Sequence, residues 1–275
     1  MANFLCFLNN RLIPYANARI HVSDLAFQRG YGIFDYFLEI DGKIPNFNDY
    51  LDRFYFSAEG LGLEVPLESD LLVERINYLL EENKFRNSGI KLILTGGYSG
   101  DFYTPDAPNF MILNVPAKRN PELLEKGIKL LTHSYVRYLP EIKTLNYLPA
   151  ILLREEMQKQ GALDVLYHQR NVISETSRGN IFCYKKGKIY TPDKNILKGI
   201  TRKYVIGIAR EFAEVVEGPV KLKDLAESDE VFMTGTSKPV APVIKIGNHI
   251  IADGKPGPLT IKINHLYEEF LRNQE

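Results

Sequence analysis

Apolar residues recur at three- and four-residue spacing over Leu51, Phe54, Tyr55 and Ala58, which predicts a helix capped by Asn48 and running to about Gly60. Leu72, Ile76, Leu79 and Leu80 repeat the pattern behind Ser69, predicting a second helix. Residues 35–45 read as two strands joined at Asp41-Gly42, a strong hairpin pair. Apolar runs from Ile90 to Thr95 and from Phe110 to Val115 read as two more strands. The segment GGYSGDFYTPDAP lies between them, and structureless loops of that length often serve a function.

The polar, proline-bearing stretch PAKRNP around Pro116 to Pro121 marks a boundary, giving a small domain over 1–117 and a larger one over 118–275. Beyond it the pattern predicts strands at 128–132, 163–168, 181–190, 219–223 and 230–234, and two more joined by Gly247-Asn248. Helices are expected over about 146–160 and 200–213, with a closing helix from near Leu259. Many short strands with few helices point to an α+β or mixed-barrel domain, and the absence of regular strand–helix alternation argues against a doubly wound sheet.

Composition narrows the possibilities. The 275 residues carry 34 basic and 34 acidic side chains, so no excess of cations exists to drive non-specific nucleic-acid binding. The longest nearly apolar stretch, Tyr147 to Leu153, is far short of the ~20 residues that span a bilayer. Only Phe4 to Leu8 is apolar near the start, with no basic segment ahead of it, so cytoplasmic residence is expected. Cys6 and Cys183 read as two free thiols. The five histidines show no zinc spacing, and phosphate-loop, dinucleotide and hydrolase-elbow motifs are absent.

Four polar segments remain, each with a plain structural reading beside the chemical one. Lys143, ahead of an apolar helix start, is a surface lysine or an amine able to form a Schiff base. Ser174 to Asn180 is a turn, or places Glu175 as a buried carboxylate facing a cation. Leu197-Lys198-Gly199-Ile200-Thr201-Arg202 is a helix start, or offers first-turn amides and a hydroxyl to an anion. Met233 to Ser237 is a turn, or a second anion nest. Arg53, on the first helix, is a surface cation or a phosphate ligand. Taken together, an amine, an acid, two anion nests and an arginine match the needs of pyridoxal phosphate.

In chain order, RGYGIF before Asp35, LDRF at 51–54, IKTLNYL at 142–148, ETSRGNIF at 175–182, ILKGITR at 196–202 and FMTGTSKPVAPV at 232–243 resemble the class IV pyridoxal-phosphate aminotransferases. That group includes branched-chain and D-amino-acid aminotransferases and aminodeoxychorismate lyase. The resemblance implies an α+β, two-domain class IV aminotransferase fold, with a small α/β domain, a larger mixed barrel-like domain and the cofactor between them. It also implies a homodimer with a loop of one subunit closing the other's site, and amino-acid and keto-acid substrates. It implies that Lys143 is the Schiff-base lysine and Glu175 the partner of the pyridine nitrogen. It further implies that Arg53, Ile200, Thr201 and Thr236 hold the phosphate and that Leu197 packs on the ring. Phe34 falls where the family places an aromatic beside the substrate. Tyr36, Tyr98, Tyr103, Thr236 and Ser237 complete the candidate substrate-facing set.

The implied activity is ping-pong transamination of a branched-chain-like or related amino acid. The alternatives are lyase release of pyruvate from aminodeoxychorismate and a non-catalytic cofactor-binding relative. Where D-amino-acid enzymes place an arginine and a histidine to hold the substrate carboxylate, this chain has Asp101 and Tyr103. Where the lyase has a threonine, two residues beyond Phe34, it has Tyr36. Arg29, Arg137 and Arg178 are spare cations for a substrate carboxylate, and Tyr31 and Tyr138 are further pocket candidates.

Overall fold

Buried and half-buried residues alternate along β3 (Gly32–Leu38): Ile33, Asp35 and Phe37 are buried, Phe34 and Tyr36 half-buried. The strand therefore has one face for a core and one for something else. The computed structural model describes residues 4–117 and 120–274, and these form two units. The first comprises residues 4–117 together with Ile142–Asn146. Its elements are β1 (Leu5–Leu8), β2 (Arg11–Pro14), α1 (Leu25–Arg29), β3, α2 (Phe47–Gly60), α3 (Ser69–Asn83), β4 (Ser88–Thr95) and β5 (Phe110–Pro116). The sheet is antiparallel in the order β2-β1-β5-β4-β3. Helix α2 covers β3, and α3 covers β1 and β5, burying Phe37, Phe54, Leu72, Ile76, Leu92 and Ile112. The segment Ile142–Asn146 runs along the free edge of β3, with Thr144 bridged to Ile33.

The second unit comprises residues 120–141 and Tyr147–Gln274. It begins with α4 (Glu122–Lys126), β6 (Ile128–Ser134), α5 (Leu148–Leu152), α6 (Arg154–Gln160), β7 (Asp164–Gln169), β8 (Val172–Thr176), β9 (Asn180–Lys185) and β10 (Lys188–Thr191). It continues with α7 (Ile200–Arg210), β11 (Glu214–Glu217), α8 (Leu222–Ala226), β12 (Glu230–Gly235), β13 (Lys238–Ile246), β14 (His249–Ile250) and α9 (Pro258–Arg272). The sheet order is β11-β10-β9-β12-β13-β6-β7-β8, with β14 paired to β13. β10–β11, β13–β6 and β6–β7 are parallel and the other pairs antiparallel. Residues 177–179 return the chain directly from β8 to β9, although four strands separate the two in the sheet. The intervening strands must curl to allow this, around a core of Ile128, Leu130, Leu166, Ile181, Val231, Met233 and Val243. The fold is α+β with a mixed, partly barrel-like second unit, as the family resemblance implies.

Several boundaries differ from expectation. Asn48 lies inside α2, whose N-cap is Asn46 in a left-handed conformation, and Ser69 is the first residue of α3 behind Glu68. The second strand of the 35–45 hairpin is only a bridge between Ile40 and Lys43. The helix expected over 146–160 breaks at Leu153 into α5 and α6. Residues 181–190 form two strands joined by a turn at Lys186-Gly187, both with positive φ. Residues 219–223 are not a strand: the Asp224 carboxylate accepts from the Lys221 amide at 3.0 Å and starts α8, and the neighbouring strand is β11. The junction expected between residues 117 and 118 falls at Lys118 and Arg119, which lie outside the described residues.

Candidate active site

The first unit holds Lys143 by its backbone. The Lys143 N–H donates to Ser57 Oγ on α2 at 3.3 Å, and its carbonyl accepts from the Phe34 N–H at 3.0 Å. Leu145 N–H donates to the Gly32 carbonyl at 3.0 Å, completing a short antiparallel pairing. With Ile33 bridged to Thr144, Lys143 falls directly opposite Phe34 and on the same, half-buried face. Its Nζ lies 4.8 Å from the centroid of the Phe34 ring. Gly32 is required here, because a Cβ would stand 2.7 Å from the Leu94 carbonyl oxygen and 2.8 Å from the Leu145 side chain.

Arg53 stands on α2 with its guanidinium 5.2 Å from the centre of the Tyr50 ring. It clasps Asp35 bidentately, Nε to Oδ2 at 2.8 Å and Nη2 to Oδ1 at 2.6 Å. Asp35 is fully buried, so this arginine neutralises a charge that the fold could not otherwise enclose.

The second unit assembles an acid and an anion cradle. Glu175, 3% exposed at the end of β8, accepts from Arg137 Nε at 2.6 Å through one oxygen and from the Leu197 amide at 2.9 Å through the other. Arg137 also donates to the Pro140 carbonyl, which orients its fork. Asn180 donates to the Leu197 carbonyl at 2.8 Å, lies opposite Thr234 in the β9–β12 ladder, and stands where a Cβ on Gly199 would reach. A Cβ on Gly179 would collide with the Thr234 carbonyl oxygen. The two glycines therefore bring the β8–β9 turn, the start of α7 and the β12–β13 hairpin into close approach. Helix α7 opens at Gly199 with no side-chain cap, leaving its first-turn amides, including those of Ile200 and Thr201, for another acceptor. Thr201 is buried, and the Thr234 hydroxyl is buried without a partner among the described residues. Thr236 and Ser237 form the hairpin turn, half-buried and exposed respectively.

Other candidates have structural work. Asp101 accepts from Ser99, from the amides of Tyr103 and Thr104 and from the Thr104 hydroxyl. Those bonds hold its carboxyl well below the usual carboxylate range, so it organises the loop. Tyr98 packs edge-on against His21, and Tyr103 is exposed. Arg178 pairs with the fully buried Asp164 at 3.2 Å. Arg29 is exposed and folds back on the Gln28 carbonyl. Tyr31 donates to the Leu61 carbonyl, and Tyr138 is exposed. The Arg137–Glu175 pairing was not legible beforehand: the two residues are 38 apart in sequence, and nothing in their local patterns couples them.

Comparison with known proteins identifies the class. The amino-transferase class IV family model matches residues 32–246, so the chain belongs to that family. It is 32% identical to the D-alanine aminotransferase of Listeria monocytogenes, over 95% of this chain and 94% of that one. It is equally 32% identical to a putative branched-chain-amino-acid aminotransferase of Methanocaldococcus jannaschii, over 96% and 95%. Its structure is similar to the branched-chain amino acid aminotransferase of Escherichia coli, with a TM-score of 0.92, 25% identity and coverage of 100% and 97%. It is similar also to a T.th. branched-chain amino acid aminotransferase with pyridoxamine 5'-phosphate, with a TM-score of 0.91, 27% identity and coverage of 100% and 96%.

The protein is therefore an enzyme, a pyridoxal-phosphate-dependent aminotransferase, and these likenesses do not favour the lyase alternative. The donor set suits that cofactor. An uncapped helix start and an unpartnered buried hydroxyl can receive a phosphate ester, and an acceptor-only buried carboxylate can receive a protonated ring nitrogen.

Proposed function

We propose that this chain transfers amino groups between an aliphatic amino acid and a 2-keto acid by a ping-pong reaction in which Lys143 and Glu175 are the catalytic residues. The observation that carries the reading is the placement of Lys143, clamped at both backbone groups opposite Phe34 on a half-buried face. Pyridoxal phosphate, when bound, supplies an electrophilic aldehyde for an amine and an electron-withdrawing ring that stabilises negative charge on the adjoining carbon.

The chain's residues supply the rest. Lys143 Nζ would hold the cofactor covalently and, as a free amine, would take the proton from the substrate α-carbon. Glu175 keeps a proton on the ring nitrogen, because a buried carboxylate favours a neighbouring cation. Arg137 and the Leu197 amide hold Glu175 in place. The Ile200 amide, the Thr201 side chain, Thr236 and the Arg53 side chain would receive the phosphate, and Leu197 would pack on the ring. Phe34, Tyr36, Tyr98, Tyr103, Thr236 and Ser237 are assigned to the substrate side.

The D-alanine and branched-chain names of the relatives both fit a small or branched aliphatic side chain. Residues 1–117 and 118–275 serve as the small and large domains, and the enzyme works as a homodimer in the cytoplasm. Exposed Leu148, Ile151 and Leu152 on α5 support association, and no helix among the described residues is long and apolar enough to cross a membrane. A panel of L- and D-amino acids tests the reading. At least one aliphatic member is expected to convert the enzyme to its pyridoxamine form by absorbance and release the matching keto acid. Absence of any half-reaction across the panel would refute it.

A further inference from the structure

The second unit contains a cavity of about 270 Å³ between α4, β13 and α9. That is near the lower end of the ~300–1,000 Å³ of small-molecule pockets, so the space suits a ligand of few atoms. The cavity borders the β12–β13 turn at Ser237, and its other walls come from residues that the transamination reading does not use. A β-bulge shapes one wall. Thr234 pairs with Val240 and Gly235 with Lys238, so Pro239 is the extra residue of β13. A proline has no N–H to withhold from the ladder, which suits it to a bulge, and a bulge re-aims the side chains beside it. Lys238 and Pro239 both line the cavity.

Lys238 has no counter-charge of its own. It is half-buried and makes no hydrogen bond or ion pair among the described residues. The nearby carboxylate, Asp164, is already engaged. One oxygen accepts from the Ser177 hydroxyl and the Val165 amide, the other from Arg178 Nε at 3.2 Å. Lys238 and Arg178 therefore bring two cations to one acid. Burial, and then repulsion from Arg178, push the Lys238 ammonium below the ordinary lysine value, while Asp164 pulls the other way. An anion in the cavity would relieve that imbalance.

The same cavity carries acceptors. Asn264, 9% exposed, donates from Nδ2 to the Val240 carbonyl at 3.1 Å, and its Oδ1 accepts from no described group. Glu268 follows one turn later on α9, on the same face and lining the same space. A carboxylate has about four lone-pair sites, so a bond that Glu268 already makes leaves others for a ligand. Leu123, Leu124 and the Pro239 ring supply an apolar wall.

We infer that this cavity binds a free aliphatic amino acid at a second, non-catalytic site. Its carboxylate meets Lys238, its ammonium meets Glu268 and Asn264 Oδ1, and its side chain lies against Leu123 and Leu124. A simple anion would face Glu268 and a simple cation would face Lys238, whereas a zwitterion answers both. The inference goes beyond the transamination reading and does not depend on Lys143. Lys238 closes the Thr236–Ser237 turn opposite Gly235, so a bound amino acid would also brace that turn.

The test is calorimetric titration of holoenzyme reduced with borohydride, which leaves no aldehyde to capture an amine. L- and D-leucine are the probes, with leucinamide as the analogue that lacks the carboxylate. Native protein is expected to bind at least one leucine enantiomer saturably, and leucinamide at least tenfold more weakly. Lys238→Met is expected to bring leucine down to the leucinamide level, and Lys238→Arg to keep the native affinity. Glu268→Gln is expected to weaken leucine at least tenfold. Cofactor content is expected to stay native in all three variants, which separates a lost site from a lost fold. No saturable leucine binding to native protein, or unchanged affinity in Lys238→Met or Glu268→Gln, overturns the inference. Leucine held only in the catalytic site gives that unchanged affinity. The titration reads no turnover, so a failure of the transaminase reading shows in the amino-acid panel above and not here.

Discussion

The Glu175 carboxylate, at 3% exposure, needs donors, and Arg137 and the Leu197 amide supply one to each oxygen. Replacing it by glutamine turns one acceptor into a donor facing a donor, at a cost of about 1–3 kcal/mol for the unmatched group. On the function proposed above, it also removes the charge that would stabilise a ring cation. Glu175→Gln is therefore expected to retain cofactor, melt somewhat lower and lose ~100-fold or more in turnover. Near-native turnover by steady-state assay would remove Glu175 from the role. At this scale the sequence anticipated a buried Glu175 carboxylate facing a cation, which the structure places against Arg137. It was silent on Lys238 because cross-strand register, which sets that lysine opposite Gly235 beside a bulge, is a property of pairing and not of local pattern.

Among the elements, the β8–β9 turn couples strand geometry to the site. Thr176 is tied at two points: its amide and hydroxyl both donate to the Gly179 carbonyl, at 2.8 and 3.0 Å. Ser177 donates to buried Asp164, and Arg178 pairs with the same carboxylate. The motif ETSRGN is thus a packing device, whatever Glu175 does in the reaction proposed above. Gly179→Ala would drive a methyl into the Thr234 carbonyl, a backbone atom that cannot swing away. This variant is expected to lose about 1–3 kcal/mol in denaturant unfolding and to weaken cofactor affinity at least tenfold in equilibrium titration. Native-like behaviour in both would show that the close approach is unimportant. Element type was readable where the apolar spacing was long and regular, as in α2, α3 and α9, which bury Leu51, Phe54, Leu72, Ile76 and Ile263. It failed where local capping outweighed pattern. Residues 219–223 alternate like a strand, yet the Asp224 back-bond to the Lys221 amide begins a helix.

For the whole molecule, the exposed apolar residues of α5 predict a particular assembly. Leu148, Ile151 and Leu152 crowd onto a five-residue helix and remain open to solvent in the single chain. Sedimentation of the native protein is expected to give twice the 31.4 kDa chain mass. Ile151→Asp combined with Leu152→Asp is expected to shift it towards monomer, and a native protein that sediments as a monomer at micromolar concentration would refute the homodimer. The two-domain fold was legible through the ordered motifs that carry the family resemblance, the strand-rich pattern alone giving only an α+β or mixed-barrel domain, whereas partner surfaces leave no periodic signature in a sequence. The reading of the site turns on which lysine carries the cofactor. Borohydride reduction of the holoenzyme, digestion and mass mapping of the phosphopyridoxyl adduct should place it on Lys143; an adduct on any other lysine would contradict that reading.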